Sequence, residues 1–181
     1  MSPNLPRRSL LPRAVLLACL ATAWRLPALA ALALLPLAQM AIAGDQVPYK
    51  AAEIGVITRE SFQFPFETKS VAATGEATQL GEYTLIGKFV VDVRSGTATG
   101  TYIMTAANGD LLFLTMEGHA VATDLTKTIL NFTITGGTGR FEEATGNFVA
   151  YNQLAFFAGT PVNPYVGEME GSISSTGANK K

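Results

Sequence analysis

Glu117 and His119 lie two residues apart in a run of alternating polarity, so in an extended strand both side chains leave on one face, close enough to share a proton. A carboxylate beside an imidazole is an acid/base pair. Thr115 shares their parity, which favours reading the face as a solvated outer one. His119 is the only histidine in the chain, so no site built from several histidine ligands can form. The other carboxylates, among them Glu142, Glu143, Glu168 and Glu170, lack the Asp-rich spacing of a calcium loop and read as surface charge. The only cysteine is Cys19. It falls in an N-terminal leader, so the remaining chain has no thiol nucleophile, disulfide or thiolate metal site. No metal and no cofactor is expected, and no catalytic residue can be assigned.

A second group of residues suits binding. Tyr83 and Tyr102 fall on faces that read as inward, where a phenol can donate a hydrogen bond to a ligand oxygen. Phe89, Met104, Leu114, Met116, Phe132 and Phe148 would supply an apolar wall around them. An apolar pocket with a few placed polar groups is the usual form of a small-molecule site. The same eight residues could instead fill a core. The most distinctive stretch, Thr135 to Gly146, is rich in glycine. It lacks the Lys-Ser/Thr pair of a phosphate-binding loop, and Glu142 stands where a dinucleotide fingerprint starting at Gly137 needs its third glycine. It reads as a tight structural turn of Gly136, Gly137, Gly139 and Gly146. Phe141 would insert into the end of the fold and Arg140 would lie near Glu142 or Glu143.

The elements that must position these residues follow from composition and periodicity. The first 43 residues hold four of the 13 basic side chains and none of the 14 acids, so residues 44–181 carry nine against 14, a net charge of −5. That sign does not suit a nucleic-acid binder. Arg7, Arg8 and Arg13 precede an apolar stretch ending in Ala41-Ile42-Ala43, the organisation of a secretory signal with cleavage after Ala43. The product would be secreted or periplasmic, touching a membrane only if the segment stays uncleaved. Leu16 to Cys19 loosely matches a lipoprotein site, and Arg7-Arg8 a twin-arginine signal.

Beyond the leader, Gly and Thr make up 36 of 138 residues and Pro only four. This is an all-β composition. Two-residue periods predict strands at Gly81 to Asp92, Thr97 to Thr105, Asp110 to Val121, Thr128 to Thr135, Gly146 to Phe156 and Val166 to Ser174. Asn108-Gly109 predicts a two-residue hairpin with a type I′ turn. Gly87, Gly100 and Gly118 inside strands mark a bulge, a corner or a close backbone approach. Closure of such a meander removes its edges, and a barrel of about eight strands can be filled by side chains or can hold one small ligand. Residues 44–69, with Phe62, Phe64 and Phe66 around Pro65, read as an extension with an opening strand, 70–175 as the barrel and 176–181 as a tail. Asn131-Phe132-Thr133 is formally a glycosylation acceptor.

The run Gly136-Gly137-Thr138-Gly139-Arg140-Phe141, followed by Ala144-Thr145-Gly146, resembles the signature of the allene oxide cyclase barrel-like family, relatives of plant allene oxide cyclases and dirigent proteins. Leu85 to Phe89, Thr97 to Tyr102, Ala106 to Asp110 and Gly167 to Gly171 extend the resemblance over roughly residues 70 to 175. It implies a closed eight-stranded antiparallel β-barrel of calycin-like shape with an apolar cavity. It also implies confinement of a small hydrophobic molecule for cyclisation or isomerisation without a cofactor, and assembly as a homo-oligomer, trimer or dimer. The rival expectation is a non-catalytic extracellular structural or interaction protein with a packed barrel.

Overall fold

The computed structural model describes residues 45–157 and 159–174. The expected leader, its cleavage point after Ala43 and the tail lie outside the described residues. Eight strands run in chain order: β1 (Gln46–Gln63), β2 (Phe66–Ala77), β3 (Gly81–Asp92), β4 (Thr97–Ala106), β5 (Leu111–Val121), β6 (Asp124–Gly137), β7 (Gly146–Leu154) and β8 (Val162–Ser174). Each pairs antiparallel with the next, and β1 pairs antiparallel with β8, so the sheet closes into a barrel. A single turn of 3₁₀ helix, Gly139–Phe141, interrupts the β6–β7 connection.

Inward positions alternate along every strand, as the pleat requires. Leu85, Met104, Leu112, Leu114, Met116 and Phe148 are all 2% exposed or less. Burying an apolar side chain of this size contributes about 1.5–3 kcal/mol. Across the interior the rings of Tyr49, Phe148, Phe132, Tyr102 and Phe89 follow one another with centroid separations of 4.6, 5.1, 5.0 and 6.3 Å. This ring series ties β1, β7, β6, β4 and β3 together through the centre of the barrel.

Small inward residues make room for the large ones. Gly87 lies opposite Tyr102, Gly100 opposite Phe89 and Gly171 opposite Phe148. A Cβ added at Gly87 or Gly100 would stand 2.5 Å from the ring of Tyr102 or the Cβ of Phe89. Of the roles foreseen for Gly87, Gly100 and Gly118, close approach is the one they fill. The register shifts lie elsewhere, at Arg59/Ser61, Phe113/Leu114 and Ala120/Val121.

Four local expectations need correction. Residues 44–69 do hold an opening strand but no extension apart from the barrel: they supply all of β1 and, after the turn at Phe64-Pro65, the start of β2, so the barrel begins at Gln46 rather than at 70. The β4–β5 hairpin is not the two-residue type. Ala106 pairs with Asp110, the Gly109 N–H donates to the Ala106 carbonyl at 2.9 Å, and Gly109 sits at φ 86°. A three-residue connection ending in a left-handed glycine matches the right-handed twist of the strands as well as the two-residue turn does. Among the described residues the ion pair of Arg140 is with Asp110 rather than with Glu142 or Glu143. The Arg140 guanidinium lies 3.8 Å from the Asp110 carboxylate and 4.7 Å from the centre of the Phe141 ring. The cause is Gly139, whose φ of 55° turns the Arg140 N–H onto Asp110 Oδ2 at 3.2 Å. Finally, β6 begins at Asp124 and β8 at Val162, each four residues earlier than the alternation suggested.

The two ends of the barrel differ. Where the β2–β3, β4–β5 and β6–β7 connections meet, Leu80, Phe141 and Ala144 are buried at 2%, 1% and 1% exposure. Phe141 therefore seals this end, as the glycine-rich turn suggested. The connections β1–β2, β3–β4, β5–β6 and β7–β8 surround the other end, which the described residues leave open.

Candidate functional site: a polar-floored cavity at the open end

A cavity of about 220 Å³ occupies the half of the barrel nearest the open end. Val71, Phe89, Ala98, Leu130, Phe132 and Leu154 form its apolar wall. Polar groups enter it from β1, β2, β4, β7 and β8: Glu53, Glu67, Lys69, Tyr102, Asn152 and Tyr165.

Glu53 is the centre of this arrangement and is 5% exposed. The Tyr165 hydroxyl donates to its Oε1 at 2.7 Å and the Tyr83 hydroxyl to its Oε2 at 3.0 Å. The sequence builds this contact by removing side chains around the carboxyl. Reading across the strands, Tyr83, Gly75, Glu53, Gly167 and Asn152 form one row over β3, β2, β1, β8 and β7. Tyr83 lies flat over Gly75, whose missing Cβ would stand 2.8 Å from the phenol oxygen. Tyr165 does the same over Gly55, at 2.7 Å from its Cε1. Any residue with a side chain at 55 or 75 would lift a phenol off the carboxyl.

Burial raises the Glu53 carboxyl above the ordinary carboxylate range, and the two phenol donors offset part of that rise. Glu53 therefore holds its proton to higher pH than an exposed carboxyl does. Burial and the proximity of Glu53 in turn push the hydroxyls of Tyr49, Tyr83, Tyr102 and Tyr165 upward, so all four remain protonated donors.

Nearer the opening, Glu67 is 2% exposed and Lys69 6%. Lys69 Nζ lies 3.0 Å from Glu67 Oε2, and the Arg59 guanidinium pairs with Glu67 Oε1. Arg59 also donates to the Gly159 carbonyl through its side chain, and its backbone N–H donates to the Pro161 carbonyl at 2.7 Å. One carboxylate thus holds two cations and fastens β1 and β2 to the β7–β8 connection. Asn163, 2% exposed, fixes the same connection through the backbone of Phe156 and Phe157. Phe62, Phe64 and Phe66 stand exposed at and beside the β1–β2 turn, and Phe156 and Phe157 on the β7–β8 connection, all at this end.

Of the eight residues expected to form an apolar site, Phe89, Tyr102 and Phe132 line the cavity. Tyr83 touches it indirectly, through Glu53. Met104, Leu114, Met116 and Phe148 are buried and do not line it. Gly136, Gly137, Gly139, Arg140, Phe141 and Gly146 belong to the sealed end. His119 is exposed and lies at the rim of the cavity, and Glu117 is exposed beside it. Glu142, Glu143, Glu168 and Glu170 are exposed, but Glu53 and Glu67 break the reading of the carboxylates as surface charge. Among the described residues no cluster of three or more His, Cys, Asp or Glu side chains is placed to hold a metal ion.

No family model, no curated protein and no solved structure matches the chain.

Sequence reasoning missed Glu53, Glu67, Lys69, Asn152 and Tyr165. The available signal was parity. In Tyr49-Ala51-Glu53-Gly55-Ile57 the glutamate shares its face with a tyrosine and two small residues. The opposite face carries Ile54 and Val56, which are 67% and 39% exposed. Hydrophobicity alone would turn this strand the wrong way round.

Proposed function

We propose that this protein is an exported barrel that binds a small hydrophobic molecule in the open-end cavity and promotes its cyclisation or isomerisation without a cofactor. The observation that supports this most is the pairing of an apolar cavity of about 220 Å³ with one buried, doubly hydrogen-bonded carboxyl at its floor. A barrel built only as a structural part gains nothing from a buried carboxyl, which costs free energy unless it is fully satisfied. The resemblance to the allene oxide cyclase barrel-like family agrees with this reading at the level of fold.

The chemistry available is acid catalysis under confinement. A neutral Glu53 has one proton to give to a ligand oxygen or alkene carbon. As that proton moves, the Tyr83 and Tyr165 hydroxyls already point at the two oxygens on which negative charge grows, so little reorganisation is needed. Return of a proton to Glu53 completes an isomerisation with no net change in the protein. The wall of Val71, Phe89, Leu130 and Phe132 excludes water and limits the conformers the bound molecule can adopt.

The test is binding of a small environment-sensitive naphthalene dye. Tyr102→Trp, with its fold checked by circular dichroism, fills the cavity and is expected to abolish the fluorescence change. Dye binding that survives the substitution unchanged would place binding elsewhere and leave the packed-barrel alternative.

A further inference from the structure

The open end of the barrel is rimmed with apolar side chains that the proposed chemistry does not use. Each connection there carries at least one at or beside its turn: Phe64 at 70% exposure, Val93 at 41%, Leu125 at 44% and Phe157 at 69%. Phe62, Phe66 and Phe156 stand exposed beside them. Among the described residues the β2–β3, β4–β5 and β6–β7 connections at the sealed end expose no large apolar side chain. Val93 and Leu125 also line the cavity, so the apolar rim runs into its wall. Apolar groups this exposed and gathered in one place mark a surface that meets a partner.

The charges decide which partner. At the sealed end Glu76, Glu82, Asp110, Glu142, Glu143 and Glu170 stand against two cations, Lys50 and Arg140, so the negative charge of the barrel gathers there. At the open end Glu60 is paired with Lys88, Asp92 with Arg94 and Asp124 with Lys127, and Glu67 holds Arg59 and Lys69. With Glu117 included, five carboxylates meet five cations, and that half is neutral. Arg94 directly follows Val93, Lys127 stands two residues after Leu125, and the Arg59 guanidinium lies 5.9 Å from the centre of the Phe62 ring. An apolar tip beside a long cation suits a bilayer surface, where the tip enters the acyl boundary and the cation reaches the phosphate groups. An anionic leaflet repels the sealed end and leaves the open end facing it. A protein seated on the rim would plug the cavity, whereas lipid joins it to an apolar reservoir. We propose that the open end docks on a lipid bilayer, with Phe64 and Phe157 entering it and the mouth of the cavity turned toward the acyl chains. The docking rests on the rim; loading of the cavity from lipid rests also on the proposed function.

Flotation of the exported protein with phosphatidylcholine vesicles tests this. The wild type is expected to float with the lipid, and high salt should leave it bound, because apolar tips rather than charges hold it. Phe64→Ser combined with Phe157→Ser, its fold checked by circular dichroism, should lower partitioning roughly tenfold to a hundredfold, the range set by losing the burial of two rings. Brominated acyl chains should quench the fluorescence gained in Phe64→Trp and leave that gained in Asn108→Trp, at the sealed end, unchanged. If the double serine variant fails to fold, the two tryptophan variants decide alone.

A wild type that stays with the soluble fraction or is released by salt, equal flotation of the double variant, or quenching of Asn108→Trp in place of Phe64→Trp would overturn the docking. So would a rim that joins two copies, seen in sedimentation as dimers that the double variant disperses and lipid does not. Dye binding measured without vesicles separates the two readings. Docking without dye binding removes the proposed function and the loading and leaves the docked surface, and dye binding without docking does the reverse.

Discussion

Replacing Glu53 with Gln keeps size and shape while removing the ionisable proton, and the consequence can be worked out with its sign. Burial raises the folded-state value of Glu53 above its unfolded one. Its contribution is then fully favourable at pH below the unfolded carboxylate range and is lost as pH rises through the folded-state value. Between those two points the unfolded chain binds fewer protons than the native barrel, so wild-type stability falls by up to about 1.4 kcal/mol per pH unit. The Glu53→Gln variant has no such slope. Asp92 and Asp124 are held low, by the Arg94 side chain and by Thr126 respectively, and act in the opposite sense at lower pH. Both are present in either protein and cancel in the difference. The assay is urea unfolding of both proteins at half-unit steps from pH 4 to pH 8. Near pH 4 the two should agree within about 1 kcal/mol, the worth of one altered hydrogen bond. Above that, Glu53→Gln should become progressively the more stable. Parallel curves, or a variant that loses ground as pH rises, would show Glu53 ionised in the folded barrel and refute the acid assigned to it.

Three further outcomes follow from the packing. Gly75→Val places a side chain where Tyr83 lies and should cost about 1–3 kcal/mol from overpacking, with the Tyr83 hydroxyl released from Glu53; thermal unfolding and the Tyr83 ring resonances report both. Glu67→Gln leaves Lys69 and Arg59 without their shared carboxylate and should destabilise by about 3–5 kcal/mol. Hydrogen exchange in that variant should rise first at Gly159 to Val162, and a stability within about 0.5 kcal/mol of wild type would count against the tie. Phe141→Ala should cost about 3–5 kcal/mol by opening the sealed end, whereas a loss under about 1 kcal/mol would mean that Phe141 is not the seal.

Legibility in the sequence tracked how conventionally each strand is patterned. β3 came out with its observed bounds, Gly81–Asp92, because Tyr83, Leu85, Phe89 and Val91 alternate with Glu82, Thr84 and Lys88. β5 and β7 read cleanly for the same reason. The first two strands did not, because their faces are inverted in part. β1 turns Glu53 and Arg59 inward and Ile54 and Val56 outward, and β2 turns Glu67 and Lys69 inward. These are the strands that furnish the cavity floor and the ion cluster, so the least legible part of the barrel is its candidate site. The glycines carried the missing information. Gly55, Gly75 and Gly167 each face Glu53 or a group that touches it, a relation fixed by register across strands and invisible to spacing along one strand.

The most direct test of the account is where an apolar molecule sits. Nuclear Overhauser effects recorded between indanol and a methyl-labelled sample should connect it to Val71, Leu130 and Leu154 in the open half and not to Leu112 or Ile173 in the sealed half. Contacts confined to the outer face, at Ile54, Ile86 and Val166, would contradict an interior site.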